Sequence, residues 1–281
     1  MKTLVNTFNQ LTKVRIAVLS TASAVTGYIL AANGISFGAL VPIFGVYLLA
    51  SGAGALNEYQ ERDIDALMER TKNRPIPSGR ITPTSGLIIA VALLVAGLAC
   101  LSFDRTTAGL GLVTVLWYNV IYTPLKRVSA FAAIPGGVVG ALPPMIGWVA
   151  GGGAMLDPRI LIVAFFFFVW QVPHFWLLLM RIGDDYKRAG LPTLTEVFSR
   201  RQLARVTYVW MLATGVSCML IPFFGVTTQA WVPIVFLAAS LWLGWHATLM
   251  VRSDGQVIVF KEINIYALIV ITLLSVSGLV A

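Results

Sequence analysis

The chain alternates between long apolar runs and short polar connections. Nine mostly apolar runs follow one another, at residues 13–32, 36–56, 85–102, 106–123, 131–150, 160–181, 205–224, 230–250 and 261–280. Each is long enough to cross the hydrocarbon core of a bilayer as a helix, and backbone polar groups in lipid must be paired within such a segment. We therefore predict an all-α, polytopic membrane protein with nine transmembrane helices around a central cavity, forming a single domain over residues 1–281. Because further apolar runs follow at once, we expect the first to be a retained span rather than a cleaved signal peptide.

The composition and the placement of charge extend this prediction to orientation. Hydrophobic residues make up 58% of the 281 residues and charged residues 11%, whereas a soluble domain carries about 25% charged residues. With the N-terminus in the cytoplasm, all 20 Lys and Arg residues except Arg105 and Arg159 lie on the cytoplasmic side, as the positive-inside rule requires. The net charge of +8 then reflects topology and anionic membrane partners, so we expect no nucleic acid partner.

One acidic segment directly follows the second apolar run. Asn57, Glu61 and Asp65 are spaced four residues apart, so on a continuing helix they share one face, with Asp63 on roughly the opposite face. Such a row of oxygen ligands suits Mg²⁺, which also takes phosphate oxygens, and the basic residues after it can neutralise a diphosphate. The alternative is a solvated loop whose acids pair with neighbouring arginines for under about 1 kcal/mol each; the row's position at the end of a membrane helix favours the metal site.

A second acidic segment, Asp184 and Asp185, follows the sixth run. Four spans separate the two segments, so both leave the membrane on the same side, and together they predict two Mg²⁺ ions holding one diphosphate. His174 lies seven residues before Arg181, about 10 Å below the end of the helix, where an imidazole is costly unless used or paired. A role near the substrate and a satisfied buried imidazole both remain open for His174, and Gln171 lies one turn before it.

The motifs resemble a known family. Asn57-Glu-Tyr-Gln-Glu-Arg-Asp-Ile-Asp65, continued by Arg70-Thr-Lys-Asn-Arg-Pro75, resembles the first signature of the UbiA-type intramembrane prenyltransferases. The similarity continues at Tyr122-Thr-Pro-Leu-Lys-Arg127, and Trp170-Gln-Val-Pro-His-Phe-Trp176 with Asp185-Tyr186 is most similar to the branch that farnesylates haem. The resemblance covers about residues 10 to 200, beginning near Lys13-Val-Arg15, where the family usually has proline in the middle position.

The resemblance implies transfer of a farnesyl group from farnesyl diphosphate to a vinyl group of haem B, with addition of water and Mg²⁺-dependent loss of diphosphate. Haem B would be a substrate, and the protein would lie in the bacterial cytoplasmic membrane with its active site on the cytoplasmic side. A haem A synthase or terminal oxidase assembly proteins are the implied partners. The implied metal ligands are Asn57, Glu61, Asp65, Asp184 and Asp185; the implied catalytic residues are Asn57, Glu61, Asp65, Asp185 and His174; the implied substrate-binding residues are Lys13, Arg15, Arg62, Arg70, Lys72, Arg74, Tyr122, Lys126, Arg127, Gln171, Arg181 and Lys187.

Two departures from the family pattern affect the metal site. Glu61 stands where the family usually has Asp, which lengthens the ligand by one methylene. Arg181 stands four residues before Asp185, where the quinone-type members carry a second Asp, so the second metal site is poorer in carboxylate.

Two other functions are open from the sequence. A prenyltransferase of the same type acting on an aromatic quinone precursor or chlorophyllide predicts the same carboxylates but needs no His174. A non-catalytic haem or lipid carrier predicts that Asp65→Ala leaves product formation intact.

Overall fold

A computed structural model describes residues 2–281, with side chains from Leu4 onward, and the regular secondary structure in this range is helical throughout. Nine helices of these residues are long and apolar enough to cross a membrane, which confirms the predicted spans. In chain order the spans are Val14–Ala32, Phe37–Asp65, Pro83–Leu101, Arg105–Leu125, Ala133–Ala150, Pro158–Arg188, Arg200–Phe224, Trp231–Arg252 and Phe260–Leu279.

Three spans are longer than their apolar runs predicted. The second continues past residue 56 to Asp65, the sixth continues past residue 181 to Arg188, and the seventh begins at Arg200 instead of residue 205. Apolarity marks only the part of a helix that lipid surrounds, whereas the backbone hydrogen bonds continue into polar sequence. The longer second and sixth helices carry the two acidic segments.

A short helix, Lys2–Leu11, precedes the first span and was not predicted. Leu11 at its end is fully buried, while Leu4 and Phe8 are exposed. Lys13 has left-handed backbone dihedrals (φ 49°, ψ 47°) and separates this helix from the first span. The predicted start of the span at residue 13 therefore moves by one residue, because Lys13 is the point at which the chain changes direction.

The nine spans form a closed ring. Each span packs against the next one in the chain, and the ninth packs against the first. The first and fifth spans are in backbone contact: a Cβ on Gly147 would lie 1.8 Å from the carbonyl oxygen of Ala24, and one on Gly27 would lie 2.0 Å from that of Pro144. Only glycine permits such backbone contact, a common feature of helix pairs in membranes. Large apolar side chains such as Ile88 and Leu241 are more than half exposed on the outside of the bundle, as lipid-facing residues should be.

Two local irregularities shape the end of the ring that carries the acidic segments. Residues Trp117–Tyr122 of the fourth span form a π-helical turn, an irregularity often found at functional sites. In the sixth span Ile182 leaves the helical region (φ −122°, ψ 16°), which kinks the helix two residues before Asp184. Gly183 lies within this kink, and a Cβ there would lie 2.9 Å from Oγ1 of Thr195.

Candidate active site

The predicted oxygen row lies on the last turns of the second span. Asn57, Glu61 and Asp65 are 2%, 3% and 1% exposed, and they belong to one continuous helix from Leu40 to Asp65. Their burial excludes the alternative of a solvated loop. Asp63, by contrast, carries a 66% exposed side chain, as its place on the other face of the helix predicted.

A different basic residue meets each member of the row. Lys13 Nζ donates to Asn57 Oδ1 at 2.5 Å, and Lys126 Nζ donates to Glu61 Oε2 at 2.6 Å. Arg74 Nη1 donates to Asp65 Oδ2 at 2.6 Å, with the carboxylate almost fully buried.

These three cations come from the start of the first span, from the end of the fourth span and from the connection after the second. Three segments that are distant in the sequence therefore meet in one buried cluster, in which each member of the row contacts a basic side chain. Desolvation of the ammonium, together with the positive charge of Arg74, lowers the pKa of Lys13 to about 7.

The π-helical turn of the fourth span fixes Asn57. Asn57 Nδ2 donates to Thr123 Oγ1 at 3.0 Å, and the Thr123 hydroxyl donates to the carbonyl oxygen of Tyr118 at 2.8 Å. One turn earlier Gln60 and Asn119 exchange hydrogen bonds at 3.0 and 3.1 Å. The amide of Asn57 is thus held from both sides, by the ammonium of Lys13 at its oxygen and by the hydroxyl of Thr123 at its nitrogen.

The second acidic segment meets the first through Asp185. The two carboxylate oxygens of Asp185 accept hydrogen bonds from the backbone N–H groups of Glu69 and Arg70, both at 3.3 Å, and Arg188 also pairs with this carboxylate. Asp185 is 9% exposed, whereas Asp184 points outward and is exposed. The two segments therefore lie at the same end of the bundle, as predicted. They are also in direct contact, which was not predicted, and Asp185 is the residue that joins them.

The donor atoms of this cluster fit a hard divalent cation. Asp65 Oδ1 and Glu58 Oε2 are buried and have no hydrogen-bond partner among the described residues, and a buried oxygen without a donor is costly unless a ligand supplies one. In residues 2–281 no three His, Cys, Asp or Glu side chains lie close enough to hold a metal ion by themselves. A cation here would therefore take its other ligands from Asn57, water and phosphate oxygens, as Mg²⁺ does.

A comparison with family models identifies the family of this chain. The UbiA prenyltransferase family model matches residues 19–268, which is most of the chain. The chain belongs to the UbiA prenyltransferase family. The nine candidate membrane helices of the described residues agree with this membership.

Several curated members of the family are similar over most of this chain. A protoheme IX farnesyltransferase from Geobacter sulfurreducens is 41% identical over 78% of this chain and 82% of its own length. One from Streptomyces avermitilis is 40% identical over 86% and 81%, and one from Oleidesulfovibrio alaskensis is 34% identical over 97% and 96%. A solved UbiA homologue from Archaeoglobus fulgidus bound to GPP and Mg²⁺ superposes with a TM-score of 0.73 over 98% of this chain and 100% of that one, at 16% identity. Digeranylgeranylglyceryl phosphate synthase gives a TM-score of 0.80 over the whole of both chains, at 17% identity.

Several predicted substrate-binding residues of this UbiA protein lie away from the cluster. Arg62 donates to the carbonyl oxygen of Tyr59 at 2.7 Å and covers the Tyr59 ring. Arg127 binds the carbonyl oxygen of Gln60 at 2.5 Å and lies 3.4 Å from Asp63. The other basic candidates outside the cluster are exposed: Arg15, Arg70, Lys72, Arg181 and Lys187.

Aromatic residues continue the site towards the interior of the bundle. The Tyr122 ring stacks on those of Tyr118 and Phe175, at 5.9 and 5.7 Å between centroids, and Lys126 Nζ lies 5.9 Å from the Tyr122 ring. His174 directly precedes Phe175 on the sixth span. Gln171, one turn earlier, lies against Gly140 of the fifth span. A chain of ring contacts thus leads from Lys126 through Tyr122 and Phe175 to His174.

Glu58 and Thr123 are two further residues of the site that were not predicted. Glu58 is fully buried, and its Oε1 accepts from the backbone N–H of Ile76 at 2.9 Å, which holds the connection that carries Arg74. Glu58 lies three residues before Glu61 and seven before Asp65, a helical spacing that places it beside the row. That spacing was the available signal for Glu58. Thr123 lies within the motif Tyr122-Thr-Pro-Leu-Lys-Arg127, but its contact with Asn57 depends on the π-helical turn, which the motif does not predict.

Proposed function

We propose that this protein transfers the farnesyl group of farnesyl diphosphate to a vinyl group of protohaem IX, with addition of water, to give haem O. Family membership supports prenyl transfer, and the curated relatives named protoheme IX farnesyltransferase support haem as the acceptor. The observation that carries the proposal is the buried row of Asn57, Glu61 and Asp65 meeting Lys13, Lys126 and Arg74 beside the segment of Asp185.

The polar cluster suits the diphosphate end of the donor. Asn57, Glu61 and Asp65 would hold Mg²⁺, with Asp185 and the exposed Asp184 as candidate ligands from the second segment. Bound Mg²⁺ would neutralise charge on the departing diphosphate. The side chains of Lys126, Lys13 and Arg74 would bind the phosphate oxygens that the metal leaves free, because charge-assisted hydrogen bonds to phosphate are strong.

The aromatic residues suit the farnesyl end. The bond between C1 of the farnesyl group and the bridging oxygen breaks, and the electron pair leaves with the diphosphate. The faces of Tyr122 and Phe175 would stabilise the allylic cation that remains, because aromatic faces attract cations and do so more strongly away from water.

The haem vinyl group then attacks C1, and water adds to the new carbocation with loss of a proton to solvent or to the diphosphate. The net result is a hydroxyethylfarnesyl substituent. The prenyl group thus remains shielded by the apolar helices until the acceptor reaches it.

One experiment tests this function directly. Membranes containing the protein are incubated with haem B and farnesyl diphosphate, with and without Mg²⁺, and the extracted haem is analysed by mass spectrometry. We expect a product heavier than haem B by one farnesyl group and one hydroxyl group, formed only with Mg²⁺. Prenylation of hydroxybenzoate, naphthoate or chlorophyllide in the same membranes, without any haem product, would show that the acceptor is that compound and not haem. The absence of any prenylated product would support a non-catalytic carrier.

We also propose that the N-terminus and the active site face the cytoplasm of a bacterial inner membrane, because the basic residues collect at the end of the bundle that carries the site. Single cysteines at Lys72 and Arg105, in a chain in which Cys100 and Cys218 are replaced by alanine, test this orientation. In intact spheroplasts an impermeant thiol reagent should label the Arg105→Cys variant and not the Lys72→Cys variant. The opposite labelling pattern would show that the N-terminus and the active site face the outside of the cell.

A further inference from the structure

A box of aromatic rings surrounds His174 between the sixth and ninth spans. The centroid of the imidazole ring lies 4.9 Å from that of the Trp170 ring and 5.1 Å from that of the Phe260 ring, and the ring planes differ by 35° and 38°. Trp170 Nε1 donates to the carbonyl oxygen of Ile263 at 2.9 Å, which fastens the two spans together at this level. The box is therefore a built feature of two spans, one of which, the ninth, carries no recognisable motif.

The box contains a polar atom that the protein itself does not satisfy. His174 Nδ1 is buried and has no hydrogen-bond partner among the described residues, although the Asn264 side chain lies within reach of the imidazole. Buried polar atoms in proteins are nearly always paired with protein, water or ligand. The nitrogen is thus available to a bound molecule.

A cation lies at the mouth of the box. The guanidinium of Arg181 lies over the Phe260 ring, with Cζ 5.5 Å from its centroid, and Arg181 is exposed beyond it. Arg181 is seven residues, or about 10 Å of helix, from His174 on the sixth span. One ring, that of Phe260, thus contacts both the imidazole inside and the guanidinium at the surface.

The box is also continuous with the site that would bind the donor. The Phe175 ring lies 5.6 Å from the His174 ring and 5.7 Å from the Tyr122 ring, and Tyr122 in turn neighbours Lys126, which pairs with Glu61. Only the Phe175 ring would therefore separate a molecule in the box from Tyr122, which is proposed to face C1 of the farnesyl group.

We propose that the acceptor binds between the sixth and ninth spans, with its flat ring system against Phe260, its polar or metal centre towards His174 and its carboxylates at Arg181. This inference rests on the proposed function and names the acceptor site within it. A porphyrin with two carboxylate arms matches the three elements of the site, which are an aromatic wall, an unpaired nitrogen and a guanidinium at the polar end. Phe260 and Arg181 then determine the acceptor, while the oxygen row binds the donor.

Arg181 is tested with protohaem IX and its dimethyl ester, in which the carboxylates are masked. Wild-type protein in detergent should bind the ester about tenfold more weakly than the diacid, as loss of a charge-assisted hydrogen bond predicts. Arg181→Gln should bind both with equal, weak affinity, and Arg181→Lys should recover most of the preference for the diacid. Arg252→Gln, an exposed arginine at the end of the eighth span, should keep the full preference. A preference that persists in Arg181→Gln would overturn the proposal.

The aromatic wall is tested with Phe260→Leu and His174→Gln, with Phe223→Leu at an 84% exposed position as the control. The two box variants should raise the Kd for haem by about threefold to tenfold and leave the Kd for farnesyl diphosphate with Mg²⁺ unchanged. Equal losses of donor and acceptor binding would refute a separate acceptor site. If wild-type membranes make no farnesylated haem at all, the proposed function fails; if they do and the box variants bind haem normally, only the location of the acceptor fails.

Discussion

Asp65 and Asp63 provide a matched test of the oxygen row, because they lie two residues apart on opposite faces of one helix. Asp65 is 1% exposed and pairs with Arg74 at 2.6 Å, whereas the side chain of Asp63 is 66% exposed and lies 3.4 Å from Arg127. Asp65→Asn keeps the shape and removes the charge that would bind Mg²⁺. A group that stabilises charge in the transition state is worth about 100-fold to 1000-fold in rate, or about 3–4 kcal/mol.

Stability separates a catalytic effect from a folding effect. Removing one partner of a fully buried ion pair costs about 3–5 kcal/mol. The Arg74 side chain is 21% exposed and the new amide still accepts its hydrogen bond, so for Asp65→Asn we expect a loss of about 1–2 kcal/mol. Asp63→Asn should cost under about 1 kcal/mol, as for an exposed pair.

The assay is farnesylated haem formed per minute across a Mg²⁺ titration, with thermal unfolding in the same detergent. Asp65→Asn should lose at least about 100-fold in kcat/KM and require more Mg²⁺, while Asp63→Asn should match wild type in both. The assignment of the row would be refuted by an Asp65→Asn enzyme within threefold of wild type, or by equal losses in the two variants.

Three further outcomes follow from the geometry of the site. Lys126→Gln should raise the KM for farnesyl diphosphate by about tenfold, since an ionic contact to phosphate is lost, and Lys126→Arg should restore most of it. Thr123→Val should lower kcat because Nδ2 of Asn57 loses its acceptor, and thermal unfolding should show a loss of about 1 kcal/mol in stability. Thr123→Ser should restore both kcat and stability. Asp185→Asn should loosen the connection after the second span, seen as faster hydrogen exchange there, whereas Asp184→Asn at the neighbouring exposed position should not.

The sequence was sufficient to predict the spans and the oxygen row. A bilayer admits only long apolar helices, so nine runs of apolar residues predict nine spans without any knowledge of their neighbours. The spacing of Asn57, Glu61 and Asp65 similarly predicts a shared face, because helix geometry alone decides it. Both predictions depend on local structure only, which explains why they are confirmed.

The contacts between distant segments were not predictable in the same way. Asp185 binds backbone N–H groups, and any two residues could supply them, so no residue type marks the contact. The box around His174 requires Phe260 from the ninth span. That span is an apolar segment without a motif, and only the packing of the spans brings it beside the sixth. The π-helical turn that directs Thr123 at Asn57 has no sequence pattern of its own. Each of these features depends on how spans pack, and packing is what a single sequence leaves undetermined.

The hydrogen bonds from main-chain N–H groups to Asp185 also limit which mutations can separate the second acidic segment from the connection after the second span. Glu69 and Arg70 can be exchanged for any residue except proline without removing the donors. The contact therefore survives side-chain substitutions at positions 69 and 70, whereas it depends on the single carboxylate of Asp185. Natural variants should accumulate freely at position 69 while position 185 stays acidic. Proline at position 69 or 70 should break the contact with Asp185, whereas alanine there should not.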